Sequence, residues 1–141
     1  MKYSEIKRIK SELENISLED SWKEVIENMT EETEDFEVDN YRFIHEDNID
    51  EIQQKELSGD TYMLGSFYAS FIADNTDLSL NIVKALQEAN KFNTIGQHIL
   101  DNDYLETMQE AYSSQDGYGA HFNSYDGNEE EINSYHVFRI N

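Results

Sequence analysis

The hydropathy pattern points to an α+β fold: a helical core with a small antiparallel β-sheet, formed by residues 1–141 as a single acidic domain. Three observations carry this expectation. Apolar residues recur at helical spacing up to Met29 and again from Ile49 to Tyr112. Two stretches, Phe36–Ile44 and the segment from His121 to Ile140, alternate apolar and polar residues instead. There is no proline and there are only six glycines, so no flexible hinge divides a chain of ordinary domain length.

The elements follow in order. Tyr3, Ile6, Ile9, Leu13 and Ile16 mark a first helix. Ser17-Leu18-Glu19-Asp20 has the form of a helix start, with Ser17 as N-cap and acids in the first turn. Leu18, Trp22, Val25, Ile26 and Met29 form the apolar stripe of that second helix. Thr30–Asp35 is an acidic connector. The alternation on both sides of Asp39-Asn40 predicts a strand or tight hairpin. Asn48-Ile49-Asp50-Glu51 resembles a capping box, with Ile49, Ile52 and Leu57 inward and Gly59 as a left-handed stop.

The central segment supplies the densest apolar face, through Leu64, Phe67, Tyr68, Phe71 and Ile72. Gly65, Ala69 and Ala73 fall four apart and predict a second face where a neighbouring helix approaches closely. Asp77 or Ser79 starts the next helix, with Leu80, Val83, Leu86 and Ala89 inward. Phe92, Ile95 and Ile99 support another, and Tyr104, Leu105, Met108, Ala111 and Tyr112 one more. Asp116-Gly117-Tyr118-Gly119 reads as a turn. His121–Tyr125 and Tyr135–Ile140 read as two strands of a final hairpin, joined through residues 126–131.

Composition excludes several classes of function. No cysteine is present, so disulfides, thiolate metal sites and cysteine nucleophiles are absent. The N-terminus lacks the apolar core of a signal peptide, and the most apolar window, Tyr62–Ala73, is too short to span a bilayer. A cytoplasmic protein is expected. No EF-hand loop fits, since the residues five before Gly117 and Gly127 are Tyr112 and Phe122. His45, His98, His121 and His136 have no metal-ligand spacing. His121 and His136 read as partly exposed histidines on the two strands of the final hairpin. Nucleophile elbow, Walker loop and dinucleotide fingerprint are all missing. A non-enzymatic protein without cofactor or metal is the expectation.

Phe71–Leu80 with Val83 and Leu86 has the order of a helix-turn-helix. Ser79, Asn81, Lys84 and Gln87 would be its base-reading face. Phosphate contacts need several cations, however, and this helix pair has only Lys84, with Lys91 just beyond. Core packing is the favoured reading of the segment, with a helix-turn-helix regulator as one alternative.

Charge is the outlying property. Thirty-one acids stand against ten bases, a net of −21. Residues 12–60 carry a net of −15 and residues 101–131 a net of −9, while residues 61–100 are nearly neutral and residues 1–11 carry +3. Lysine would solvate the surface as well as glutamate and without the self-repulsion, so the imbalance asks for a functional reason. Duplex DNA carries one charge per roughly 1.7 Å of axis, so 21 charges match about 36 Å. A chain of this length has a diameter of roughly 37 Å. These dimensions suit a protein that presents DNA-like charge to a basic nucleic-acid-binding protein, such as a nuclease or a restriction or CRISPR effector. The candidate contact residues are Glu31, Glu32, Glu34, Asp35, Glu37, Asp39, Glu46, Asp47, Asp50, Glu51, Glu129, Glu130 and Glu131. Direct binding to nucleic acid or to a membrane is not expected. A generic interaction module, with acidity serving solubility and steering, is the second alternative.

The run Tyr41-Arg42-Phe43-Ile44, Glu56-Leu57, Asp60, Tyr62, Leu64-Gly65, Phe67 and Phe71-Ile72-Ala73-Asp74 resembles small proteins of phages and plasmids. So does the ending Asp116-Gly117-Tyr118-Gly119, His121-Phe122, Tyr125-Asp126 and Phe138-Arg139. In size and acidity the chain is similar to antirestriction and anti-CRISPR proteins that mimic DNA. Together these resemblances imply an inhibitor, encoded by a mobile element, that acts in the host cytoplasm on a defence protein.

Overall fold

A computed structural model describes residues 1–141. In chain order the helices are α1 (Tyr3–Glu14), α2 (Trp22–Thr30), α3 (Ile49–Ser58), α4 (Thr61–Ser66), α5 (Ala69–Asn75), α6 (Leu80–Glu88), α7 (Phe92–Asp101), α8 (Leu105–Asp116) and α9 (Gly119–Phe122). The strands are β1 (Asp35–Val38), β2 (Tyr41–His45), β3 (Glu130–Ile132) and β4 (Tyr135–Arg139). The architecture is therefore α+β, with one antiparallel sheet ordered β1-β2-β4-β3. The chain separates into two compact units: residues Met1–Ile49 with Tyr118–Asn141, and the inserted residues Asp50–Gly117.

The first unit holds the sheet. Two hairpins close through two-residue turns, Asp39-Asn40 and Asn133-Ser134, each led by a residue in the left-handed region (φ 52° and 57°). Asx residues tolerate that conformation better than most, which explains why they stand there. The inner strands β2 and β4 then pair, with Phe43 opposite Val137. Phe36 stacks on Phe43 at 4.8 Å, and Tyr135 meets Phe36 edge-on. Ile9 and Leu13 of α1, Leu18, and Val25 and Met29 of α2 complete this core. Each such fully buried aliphatic side chain contributes about 1.5–3 kcal/mol relative to exposure.

The second unit is helical, around Leu57, Leu64, Ile72, Val83, Ile95, Ile99, Met108 and Tyr112. Its tightest contact joins α4 to α7. A Cβ at Gly65 would stand 1.8 Å from the Phe92 carbonyl oxygen, and one at Gly96 would stand 2.0 Å from that of Thr61. The two glycines thus let the backbones of α4 and α7 touch from both sides. Asp60 caps α4 by accepting from the Met63 amide, and Ser79 caps α6 by accepting from the Ile82 amide.

Several sequence expectations are corrected. Ser17 is not an N-cap: it lies at φ 60° just past α1, with Leu18 N–H donating to Leu13 O. That six-to-one bond is the terminal motif of a helix C-terminus, and Leu13 and Leu18 pack together beneath it. The same bond recurs from Thr33 to Asn28, Lys91 to Leu86 and Tyr104 to Ile99, after Glu32, Asn90 and Asp103 at positive φ. Gly59 does follow α3, but it is not among the positive-φ residues, so it is no left-handed stop. The central segment is two helices rather than one. Phe67 and Tyr68 are extended (ψ 160° and 140°) because Phe67 turns to meet Tyr112 at 4.9 Å. Of the small-residue row, Gly65 makes a close approach, against the Phe92 backbone of α7.

Finally, His121–Tyr125 is not a strand. Gly119–Phe122 is a helical turn pressed against the Gly127 carbonyl, where a Cβ at Gly119 would come within 2.1 Å. Asn123 closes the following loop by accepting from the amides of Tyr125 and Asp126 and donating to Asn128 O. The real partner of β4 is Glu130–Ile132, a three-residue edge strand. His121 and His136 therefore do not face each other across a hairpin: His136 lies opposite Glu131 and Ile44.

Candidate acidic interface

All thirteen carboxylates singled out in the sequence are exposed. Eleven belong to the first unit, which carries nineteen acids against seven bases. The left-handed turn at Glu32 ends α2 and aims the chain into β1, where Glu34 O accepts from the His45 amide. Glu31, Glu32 and Glu34 are thereby held at the end of the sheet where β1 begins and β2 finishes. Glu46 and Asp47 follow β2 at this same end, and the Glu46 amide donates to Ser134 O of the β3–β4 turn. Asp35 is the first residue of β1. Six of the thirteen thus gather at one end of one sheet.

Their electrostatics are uneven. Asp35 is neutralised by a two-pronged bond from Arg42, with Nε to Oδ1 at 2.9 Å and Nη2 to Oδ2 at 2.7 Å. The Arg42 guanidinium also lies 5.1 Å from the Phe122 ring centre. Asp47 stands 3.8 Å from Nδ1 of His45, which accepts from the Asp47 amide. Glu31, Glu32, Glu34 and Glu46 have no cationic partner. Their field reaches Tyr135, whose hydroxyl donates to Thr33 O at 2.8 Å. Burial, and then the charge of Glu32, push the Tyr135 phenol above its ordinary range.

The other first-unit carboxylates lie on other parts of the sheet and its turns. Glu37 lies further along β1, and Asp39 sits in the hairpin turn at the far end, where it accepts from Ser21 Oγ at 2.6 Å. Glu130 and Glu131 lie on β3, the opposite edge, roughly 14 Å from β1 across three strand spacings, with Glu131 in the row of Asp35, Ile44 and His136. Glu131 and Glu129 flank the half-buried His136, each 3.8 Å from Nδ1, and Tyr118 meets its ring edge-on. Asp50 and Glu51 open α3 in the second unit, and Asp50 accepts from the buried Gln109.

No group of three or more His, Asp or Glu side chains converges as a metal site. In the second unit His98 Nε2 meets Asp77 at 2.7 Å, but Asn102 rather than a hydroxyl stands at its other nitrogen. Within the helix-turn-helix segment Ser79 is occupied as a cap, and Gln87 donates to Gly65 O and Phe67 O. Ser79, Asn81 and Lys84 of the suggested reading face are exposed, and Gln87 is half-buried. No helix is long and apolar enough to cross a membrane. Comparison with protein-family models, characterised proteins and solved structures gives no match.

The sequence carries signals for parts of this arrangement. The five-residue spacing of Leu13 and Leu18 marks a helix terminus. The spacing of Asp35 and Arg42 about Asp39-Asn40 puts an ion pair diagonally across the hairpin.

Proposed function

We propose that the protein is a non-enzymatic inhibitor that presents DNA-like negative charge to a basic nucleic-acid-binding protein, such as a nuclease or a restriction or CRISPR effector. The observation that carries this reading is the end of the sheet in the first unit. There Glu31, Glu32, Glu34 and Glu46 are exposed without a counter-ion beside Asp47. Leaving such charges together costs folding energy through self-repulsion, and a partner that supplies cations removes the cost. The fixed turns at Glu32 and Ser134 support a preorganised surface, which binds with less loss of entropy than a floppy acidic tail. Steering by the net charge speeds encounter with a positive channel.

The test is capture from a host lysate by the immobilised chain, with elution by rising salt and identification of what elutes. The reading expects nucleic-acid-binding proteins released at moderate salt. Capture only of proteins with no nucleic-acid-binding activity contradicts it.

A second reading draws support from the strand acids. Asp35, Glu37, Glu130 and Glu131 all lie on the two edge strands, where charge discourages pairing with another sheet. For those four, protection of the fold is sufficient reason. It does not extend to Glu31, Glu32, Glu34 and Glu46, which are off the strands.

A further inference from the structure

We propose that the cleft between α1 and α2 binds a small amphipathic monoanion, an aliphatic or aromatic carboxylate, with its charge at Lys7 and Lys10 and its apolar body against Trp22. The cleft has a volume of about 340 Å³ and is lined by Tyr3, Ile6, Lys7, Lys10 and Trp22. That volume lies within the roughly 300–1,000 Å³ of small-ligand sites. Tyr3 with Lys7, and Ile6 with Lys10, are four residues apart and so share one face of α1.

The lining is unusual for this chain. Acids outnumber bases three to one, yet no carboxylate lines the cleft. The Lys10 ammonium lies 4.2 Å from the centre of the Trp22 ring, with that of Lys23 at 5.7 Å. None of Lys7, Lys10 and Lys23 is paired with a carboxylate. Tyr3 is 80% exposed and adds nothing to the core. The site therefore offers two unpaired ammonium groups beside an aromatic and aliphatic floor.

Charge and shape select the occupant. A cation is repelled by both lysines. A polyanion is repelled by the rest of the unit, whose net charge is −12. A monoanion meets mainly the local field, because charges beyond about 8 Å are screened at physiological salt. A carboxylate takes the ammonium groups in charge-assisted hydrogen bonds, and an apolar tail covers Ile6 and the indole. An acid with no apolar body gains only the first of these.

Trp22 is the only tryptophan, so its emission reports on the cleft directly. The probe is octanoate titrated into the full chain, with 1-octanol and acetate as comparators. The expected result is a saturable one-to-one change in Trp22 emission with octanoate, with acetate and octanol at least tenfold weaker. Amide shifts in nuclear magnetic resonance spectra should centre on residues 3–10 and 22. Lys7→Gln with Lys10→Gln should weaken octanoate at least tenfold. Both lysines are exposed, and an unchanged circular dichroism spectrum verifies the fold. Lys7→Arg with Lys10→Arg keeps the charge and should retain binding. Equal binding of octanol, unchanged affinity in the glutamine variant, or shifts centred elsewhere overturns the proposal. So does an emission change that follows protein concentration alone, since the occupant is then a second copy of the chain.

Discussion

Replacing Gly65 by alanine adds one methyl group at the point where α4 and α7 touch. The new Cβ would lie 1.8 Å from the Phe92 carbonyl oxygen, 2.6 Å from its carbon and 2.9 Å from Cα. An unstrained carbon–oxygen contact is about 3.3 Å, close to the lower limit of non-bonded approach. The helices must therefore separate by roughly 1.5 Å, and the obstacle is backbone, which no rotamer change can move. Overpacking of a core costs about 1–3 kcal/mol where side chains can adjust. With a rigid obstacle, and with Leu64 and Ile95 losing contact beside it, we expect about 3–4 kcal/mol. Helix propensity works the other way, favouring alanine by about 1 kcal/mol, and does not reverse the sign. Urea unfolding followed by circular dichroism at the helix band measures the change. Gly96→Ala should cost a similar amount, since its Cβ would stand 2.0 Å from Thr61 O. Both changes open the same interface, so the double variant should cost clearly less than the sum. A Gly65→Ala variant within about 0.5 kcal/mol of the parent would refute the backbone contact.

Ser17→Gly should stabilise the chain by about 1 kcal/mol, because Ser17 pays the left-handed penalty that glycine escapes, and thermal or urea unfolding checks it. Tyr112 and Tyr135 should titrate above the ordinary tyrosine range. Burial raises both phenols above 10, with Asp116 adding to Tyr112 and Glu32 to Tyr135. Stability from these two groups is therefore complete below pH 10 and is lost as pH rises through their folded values. Tyrosinate absorbance should show titration above the ordinary tyrosine range, and Tyr135→Phe should reduce it. The melting temperature should rise with salt up to a few tenths molar as self-repulsion is screened, and a flat or falling dependence would count against crowded carboxylates.

Much of the local structure was legible in the residues. The hairpin at Asp39-Asn40 was one of two readings of Phe36–Ile44, Ser79 rather than Asp77 starts α6, and the stripe through Val25 and Met29 gave the buried face of α2. The misreadings share a physical origin: tertiary contact outweighed a local signal. Ser17 followed by two acids looks the same whether it opens one helix or closes another, and only the packing of Leu18 on Leu13 decides. Nothing between Ser66 and Ala69 breaks a helix by propensity; the break exists because Phe67 packs on Tyr112. Glu130-Glu131 has poor strand propensity and pairs because Asn133-Ser134 returns the chain onto β4.

The site was legible as exposure but not as grouping. Each of the thirteen carboxylates reached the surface, yet sequence distance gave no warning that Glu46 would join Glu31, Glu32 and Glu34, or that Asp35 would be spent on Arg42. Asp35→Asn is consequently a poor probe of binding, since it breaks an ion pair of the fold.

The inhibitor reading is tested most directly by competition on a captured partner. Duplex DNA and this protein should exclude each other, with apparent affinity for the protein falling in proportion to occupancy by DNA. Glu31→Gln, Glu32→Gln and Glu34→Gln together should slow association at low salt at least tenfold, while stability to urea is retained or raised as self-repulsion falls. Simultaneous binding of DNA and protein to the partner, or an unchanged association rate in the triple variant, would contradict it.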